Sequence, residues 1–377
     1  MSVPLPPVWA RRLLLAPLVW LLGAWLLVAV VPAIILVAAL ISFALPGRMR
    51  LLRLTGFAFV YLAVEVVGLT VCLLTWLASG FGYALRRPGF VTAHYAILAK
   101  GLSVLFWFGT RYFELTIRGE GPELPGDDGD PTTTEHPLLV MSRHAGPGDS
   151  FLLVQELLSW VGRRPRIVLK STLQWDPLID VLLNRLPMSF IDPTADKQDG
   201  PLAAITRLAA TMEARDALLI FPEGGNVTPG RRRRAIDRLR ASGRHDAARR
   251  AERIVHLMPP RPGGVQAALR ANPDLHVVVV AHSGLDDLDS LADIWRELPV
   301  SKTLHLRWHS VPSAEVPTDT VGLSDWLFTE WELMDRWVAA HRAAEDSPDA
   351  VSPGTGATDA PGRAGHAGQA GHAPDPA

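Results

Sequence analysis

A histidine and an aspartate five positions apart in a glycine-rich loop can carry out acid–base chemistry. The loop runs from Ser142 to Ser150 and contains His144 and Asp149, with two glycines and a proline between them. An imidazole can accept a proton from an alcohol, and a carboxylate bound to its other ring nitrogen fixes the tautomer and stabilises the imidazolium. The pattern therefore predicts a general base. In the alternative interpretation, Asp149 only caps the following helix and His144 is an ordinary loop residue.

A second loop places a carboxylate directly after an apolar strand. The predicted strand Ala217 to Phe221 is followed by Pro222, Glu223 and two glycines, Gly224 and Gly225. Because active sites of open α/β sheets lie at the carboxyl ends of the strands, Glu223 is a candidate site residue. A plain strand-to-loop turn is the alternative.

Alternating apolar runs and helical patterns must position these two loops. The predicted strands are Leu138 to Met141, Arg166 to Leu169, Met188 to Ile191, Ala217 to Phe221, His276 to Ala281 and Thr303 to Trp308. The predicted helices are Ser150 to Val161, Pro177 to Leu186, Leu202 to Arg215, Arg231 to Val255, Gly264 to Ala271 and Ser324 to Arg342. This alternation predicts an α/β fold with a central, mostly parallel sheet flanked by helices.

Two long apolar stretches precede the α/β region and predict membrane helices. Leu13 to Pro46 contains no charged residue, and Thr55 to Leu85 contains only Glu65. Each stretch exceeds the roughly 20 residues that cross a bilayer. Arginines flank both stretches, so charge alone does not select an orientation. With Pro32 near its middle, the first stretch either spans the membrane or re-enters it with both ends cytoplasmic.

These patterns divide the chain into four regions. We expect a hydrophobic membrane-anchoring region at 1–87, an interfacial aromatic segment and acidic loop at 88–136, an α/β domain at 137–344 and a disordered tail at 345–377. The tail is rich in Gly, Pro and Ala, and its apolar residues show no helical or strand periodicity. The expected location is an integral membrane protein with its α/β domain in the cytoplasm.

The charge and cysteine content exclude several classes of protein. With 37 basic and 38 acidic side chains, the chain is not a bulk nucleic-acid binder. The single cysteine, Cys72, excludes an intramolecular disulfide framework and a cysteine-based zinc site. One segment, Gly230 to Arg253, carries ten arginines against three acids. A solvated helix face, contact with anionic lipid headgroups, an acceptor phosphate and the phosphates of coenzyme A are all compatible with it.

The two loops together resemble the glycerolipid acyltransferase family, whose best-known members are the 1-acylglycerol-3-phosphate acyltransferases. That family has His-x-x-x-x-Asp, then a block containing Lys and Pro, then Phe-Pro-Glu-Gly. Here these are His144 to Asp149, then Lys170 and Pro177, then Phe221 to Gly224. The resemblance extends from about Pro137 to His282.

The resemblance implies transfer of a fatty acyl chain from acyl-CoA or acyl carrier protein to the free hydroxyl of 1-acyl-sn-glycerol-3-phosphate, in phospholipid biosynthesis. His144 would be the base, Asp149 its orienting carboxylate, and Glu223 with Gly224 would hold the acceptor glycerol. Neither a metal nor a cofactor is expected beyond the acyl donor as co-substrate. The expected partners are a lysophospholipid, the donor and membrane lipids, with no nucleic acid.

The chain departs from the family at two positions that bear on the acceptor. Pro193 and Asn226 stand where the family usually has arginines associated with the acceptor phosphate. Lys170 and Arg261 are the substitute phosphate ligands that we predict, since Arg261 follows two prolines as in some lysophospholipid acyltransferases. Another lysophospholipid acceptor, a lipid hydrolase that uses the same pair and a non-catalytic lipid-binding protein remain alternative functions.

Overall fold

The computed structural model describes residues 5–44, 49–122, 136–146, 148–192, 200–284, 286 and 295–345. Within these residues, an α/β domain packs against a layer of three long apolar helices. The predicted disordered tail lies outside the described residues, apart from its first position. Most of the predicted acidic loop lies outside them as well.

A seven-stranded sheet forms the centre of the α/β domain, in the order β1-β7-β6-β2-β5-β3-β4. The strands are β1 (Thr116–Glu120), β2 (Leu138–Ser142), β3 (Arg164–Lys170), β4 (Ser189–Ile191), β5 (Asp216–Ile220), β6 (His276–Ser283) and β7 (Thr303–Val311). The β6–β7 pair is antiparallel, and the other described pairs are parallel. The predicted fold class is confirmed, and each of the six predicted strands is present.

Strands β2 and β5 are buried on both faces, as is typical of a parallel sheet covered by helices. On one face Leu139 and Met141 pack with Phe328 and Trp331. On the other face Leu138 and Val140 pack in a cluster with apolar residues of two helices. The site loops therefore extend from a rigid base.

In the described part of the chain, we label ten helices that precede or flank this sheet. Those of the apolar layer are α1 (Val8–Phe43), α2 (Arg50–Ala78) and α3 (Pro88–Phe113). Those of the domain are α4 (Asp149–Ser159), α5 (Pro177–Leu183), α6 (Pro201–Ala210), α7 (Pro229–Ala241), α8 (His245–Arg253), α9 (Pro262–Ala271) and α10 (Thr320–Glu345).

The arginine-rich segment forms two helices, so the single helix predicted from Arg231 to Val255 is wrong. Helix α7 ends at Ala241 and α8 begins at His245. Gly243 lies between them with φ of 75°, a left-handed conformation that glycine adopts without steric cost. The turn sends α8 back across the domain toward α10.

The three N-terminal helices fit association with a membrane, because each is long and apolar enough to cross one. The third of them, α3, covers most of the segment that the sequence analysis assigned to the membrane interface. Helix α1 packs along α2, where the Trp20 indole donates to the Thr70 hydroxyl at 2.8 Å. Helix α2 in turn packs on α3 and on the α/β domain.

Basic residues at both ends of the first apolar stretch contact the α/β domain or the helix next to it. Near the start of α1, the buried Arg11 guanidinium lies 2.8 Å from the Asp180 carboxylate of α5. At the start of α2, Arg50 Nε donates to the carbonyl of Leu298 at 2.8 Å, and Arg53 donates to that of Tyr112 at 2.7 Å. Arg11 and Arg50, which flank the stretch, thus both contact the α/β domain.

Candidate active site

The two loops singled out in the sequence meet at one edge of the sheet. Strands β2 and β5 are parallel neighbours, with Met141 opposite Ile220, so their carboxyl ends lie side by side. The backbone N–H of His144 donates to Oε2 of Glu223 at 3.3 Å. The sheet topology therefore brings the predicted base and the predicted carboxylate into direct contact.

Asp149 binds back to His144 and to the loop between them. Its Oδ2 accepts from His144 Nδ1 at 2.8 Å and from the N–H groups of Ala145 at 2.8 Å and Gly146 at 3.2 Å. Burial of the side chain raises its pKa, but the hydrogen bond and charge of His144 outweigh this, and the net shift is downward. Asp149 is therefore an ionised acceptor, which places the imidazole proton on Nδ1.

This geometry leaves the other nitrogen of His144 available for chemistry. With the proton on Nδ1, Nε2 carries the lone pair that can accept a proton. The ring stacks on Phe221, with ring centroids 4.7 Å apart, and the side chain is 19% exposed. His144 is thus held on three sides and open toward solvent, as a general base requires.

Glu223 is buried and binds protein groups on both oxygens. Oε1 accepts from the Trp331 indole at 3.1 Å, and Oε2 accepts from the backbone of His144. Burial raises the pKa of Glu223 from its usual value near 4.5 to about 8, although the charge of Arg143 and hydrogen bonds from Trp331, His144 and Met258 act in the opposite direction. Its contact with an acceptor glycerol stays a prediction.

Sequence reasoning missed the second layer of polar groups beneath this site. Arg143 is buried, donates to the carbonyl of His282 at 2.9 Å and forms an ion pair with Asp286. His282 Nε2 lies 3.9 Å from Oδ2 of Asp149. Burial and the neighbouring Arg143 lower the pKa of His282 to about 4, so this imidazole is neutral. No local spacing in the sequence links these residues.

Two arginines contact the turn that follows Glu223, and a third, Arg238, lies close enough to interact with one of them. The Arg261 guanidinium covers Gly224, where a Cβ would lie 3.2 Å from Nη1. Arg231 Nη2 donates to the carbonyl of Gly224 at 3.1 Å. Burial and then the positive charges of Arg238 and Arg231 lower the pKa of Arg261. Within the described residues, none of the three guanidiniums forms an ion pair with a carboxylate.

Other members of the arginine-rich segment have structural partners. Arg232 donates to carbonyls at the end of α8, Arg240 pairs with Glu252, and Arg250 pairs with Glu332. Lys170, which was predicted as a phosphate ligand, is exposed at the end of β3. Of the predicted cations, the structure therefore brings Arg261 to the glycine turn, while it describes no bond from Lys170 to that turn.

An apolar cavity of about 400 Å³ opens at the histidine loop. Gly146 and Gly148 line it on the loop side, while Phe57, Leu98 and Phe106 line it from α2 and α3. The cavity thus joins the apolar helical layer to the His144 loop. Around this site, the described His, Cys, Asp and Glu side chains form no group spaced for a metal ion.

The raised pKa of Glu223 predicts a pH-dependent stability. Between about pH 4.5 and 8, the folded protein retains the Glu223 proton that the unfolded chain has released. Stability from this group is fully present below pH 4.5 and is lost as pH rises toward 8. The Glu223→Gln side chain stays neutral throughout. The difference in Tm, wild type minus variant, should therefore fall from pH 5 to 8 and level off above it.

Thermal unfolding of the detergent-purified protein, followed by tryptophan fluorescence, measures this difference. Parallel Tm curves for both proteins from pH 5 to 9 would contradict the prediction and would show that the carboxylate is ionised in the folded protein at every pH tested.

Comparisons with known proteins agree with this arrangement of loops. Residues 127–283 match the family model described as Acyltransferase. The chain is also similar to an uncharacterized acyltransferase of Schizosaccharomyces pombe, with 22% identity over 182 residues that make up 46% of this chain. The match covers 50% of that protein, so the chain spans about half the length of this curated relative. Residues 127–283 therefore form a domain of the acyltransferase family, the family of the glycerolipid acyltransferases.

Proposed function

We propose that this protein is a membrane-attached acyltransferase that transfers a fatty acyl chain from acyl-CoA or acyl carrier protein to the free hydroxyl of 1-acyl-sn-glycerol-3-phosphate. One observation carries the proposal: the loop of His144, which is oriented by a buried ionised Asp149, lines an apolar cavity through Gly146 and Gly148. A base in a loop that borders an apolar cavity suits transfer to or from a lipid.

In the proposed reaction, Nε2 of His144 accepts the proton of the lysolipid hydroxyl as the oxygen attacks the thioester carbonyl. The carbon–sulfur bond then breaks, and the imidazolium returns the proton to the leaving thiolate. Asp149 stabilises the imidazolium during this step. Acyl-CoA and acyl carrier protein are substrates here, and neither a metal nor another cofactor has a role in the proposal.

Backbone N–H groups can stabilise the oxyanion that forms on the thioester carbonyl. The glycine-rich stretches Gly146 to Gly148 and Gly224 to Gly225 offer such groups. The N–H of Gly146 already donates to Asp149, and that of Gly224 donates to the carbonyl of Phe221 at 3.0 Å. Gly148 and Gly225 are therefore the donors that we propose.

The arginines beside Gly224 fit the acceptor phosphate. Position 226 lacks the arginine of the family, but Arg231 from α7 donates to the Asn226 carbonyl at 3.3 Å and so brings a guanidinium to the same turn. Arg261 and Arg238 add two more positive charges nearby. Guanidiniums bind phosphate oxygens through paired hydrogen bonds, so this cluster supports an acceptor with an anionic phosphate.

Membrane attachment through α1 completes the proposal. This helix exposes many large apolar side chains on the side away from α2, including Leu13, Val28 and Phe43. Because Arg11 and Arg50, which flank the stretch, both contact the α/β domain, we propose that α1 lies along one leaflet, with the α/β domain on the cytoplasmic side.

Replacement of the proposed base should abolish most turnover. We expect His144→Ala to lower kcat by about 10² or more, the usual effect of a positioned base. Asp149→Asn should also be severely impaired, because it favours the wrong imidazole tautomer. Transfer of a labelled acyl chain from acyl-CoA to lysophosphatidate, read by mass spectrometry, measures both effects.

The exposed His245 at the start of α8 provides a matched control, and His245→Ala should turn over normally. The circular dichroism spectrum and membrane fraction of each variant report on folding. Near-normal turnover by a folded His144→Ala protein would refute the mechanism, whereas release of free fatty acid without lysolipid acylation by the wild type would identify a hydrolase.

The arginine cluster predicts a specific effect on the acceptor. Arg261→Ala should raise KM for lysophosphatidate by one to two powers of ten, the usual range for a hydrogen bond to a charged group, and should change KM for the acyl donor little. Arg233 is exposed on α7, so Arg233→Ala removes the same charge as a control and should have little effect.

Initial rates with lysophosphatidate and with a lysophospholipid that has a capped phosphate test the acceptor assignment. If Arg261→Ala affects both acceptors equally, the preference for a phosphate monoester is wrong. If it raises only the KM for acyl-CoA, the cluster belongs to the donor.

The cavity predicts that a larger side chain at Gly101 shortens the preferred acyl chain. Gly101 in α3 lines the cavity, and a Cβ there would meet Val64 at an ordinary 3.4 Å. Each methylene that Gly101→Leu displaces should cost about 0.8 kcal/mol, or about fourfold in kcat/KM. The kcat/KM for substrates with long acyl chains should therefore fall more than that for substrates with short ones.

Gly89 in the same helix is the control position, because a Cβ there would meet no atom within 4 Å. Gly89→Leu should leave chain-length preference unchanged. If Gly101→Leu shifts the preference among acyl donors of different chain length, the donor chain occupies the cavity. If it shifts the preference among lysolipids of different chain length, the acceptor chain occupies it. Unchanged preference in both series contradicts the assignment of the cavity.

A further inference from the structure

Three metal-ligating side chains from distant parts of the chain meet at an edge of the sheet, away from the His144 loop. They are Glu120 at the end of β1, His305 in β7 and His341 near the end of α10. One ligand atom from each lies within 4.8 Å of the others. Strands β1 and β7 are parallel neighbours, and helix α10 contributes the third side chain.

The two imidazoles have the hydrogen bonding of metal ligands. The Nδ1 of His341 bonds the carbonyl of Trp337 at 2.9 Å, which leaves its Nε2 lone pair free. Such a bond from the second ring nitrogen to a carbonyl is the usual support of a metal-bound histidine. The Nδ1 of His305 is buried and has no hydrogen-bond partner among the described residues. The two ring centroids are 4.7 Å apart.

We propose that Glu120, His305 and His341 bind a divalent transition-metal ion of the Zn²⁺ class. Two imidazoles and one carboxylate suit Zn²⁺ better than Mg²⁺ or Ca²⁺, which prefer sets made entirely of oxygen ligands. Ligand atoms at this separation need only small side-chain rotations to reach bond lengths of about 2.0 to 2.2 Å. Glu120 is exposed, so water can fill the fourth position.

Two cationic residues neighbour the proposed site in the strand ladder. Arg118 lies opposite His305, and Arg307 lies opposite Glu120. Their positive charges repel a metal ion, and the negative charge of the Glu120 carboxylate offsets part of this repulsion. The affinity should consequently depend strongly on Glu120, and Glu120→Gln should weaken binding even though the side chain keeps its size.

The bound ion would act as a structural clip. Strand β1 follows α3 of the apolar layer, while α10 carries Trp331, whose indole binds Glu223 at the active site. Helix α10 also carries Asp335, which accepts from the backbone of His256 at 2.7 Å. A metal that joins β1, β7 and His341 would therefore fix the far end of the helix that supports the catalytic loop.

Metal titration of the full-length, chelator-treated protein in detergent tests this site. Isothermal calorimetry with Zn²⁺ should show one saturable site, and Zn²⁺ should raise the Tm. His341→Ala and Glu120→Gln should each weaken the affinity by at least tenfold. The visible spectrum with Co²⁺ gives a second readout, since a four-coordinate site with nitrogen ligands has an intense absorption that His341→Ala should remove.

His309 on the same strand provides the control, because it is half exposed and pairs with Glu330 instead. His309→Ala should bind Zn²⁺ as the wild type does. Equal Zn²⁺ affinity in the wild type and His341→Ala would overturn the proposal, as would the absence of stoichiometric binding by a folded wild type.

Discussion

The buried carboxylate of Glu223 is the group on which the geometry of the site depends. Its oxygens accept from the His144 backbone and from the Trp331 indole, and so they join the loop after β2, the turn after β5 and helix α10. A carboxyl group withdrawn from water is costly unless it is hydrogen-bonded, so these donors must be in place together. The imidazole of His144 extends from the backbone that Glu223 binds, and the position of this proposed base therefore depends on that contact.

Local sequence was sufficient to predict the elements in which consecutive residues are apolar and buried. Strands β2 and β5 are uninterrupted apolar runs, and both were predicted within one residue at each end. Strand β1 was missed because Ile117 is its one large apolar residue, and its pairing partner β7 comes much later in the chain. The helix break at Gly243 was missed because the arginine-rich composition on both sides favours helix. The turn itself serves a tertiary contact, the pair of Arg250 with Glu332.

The site divides in the same way. His144 and Asp149 lie in one short loop, so spacing alone predicted their contact. Trp331 and His282 reach the site through the tertiary fold, and their sequence neighbourhoods resemble those of ordinary core residues. The arginine-rich segment showed only a local excess of positive charge. In the structure, some of its members bind helix ends or form ion pairs, Arg231 lies with Arg261 at the glycine turn, and Arg238 interacts electrostatically with Arg261.

The contacts of Arg11 near the start of α1 and of Arg50 at the start of α2 have a consequence for the order of events during synthesis. Arg11 and Arg50 leave the ribosome long before their partners Asp180 and Leu298 exist, because domains form from the N-terminus onward. The apolar face of α1 must meanwhile be covered by lipid or by a chaperone. Docking of the two arginines is thus a late step. The two loops of the site are therefore assembled on a chain whose apolar helices have already been made.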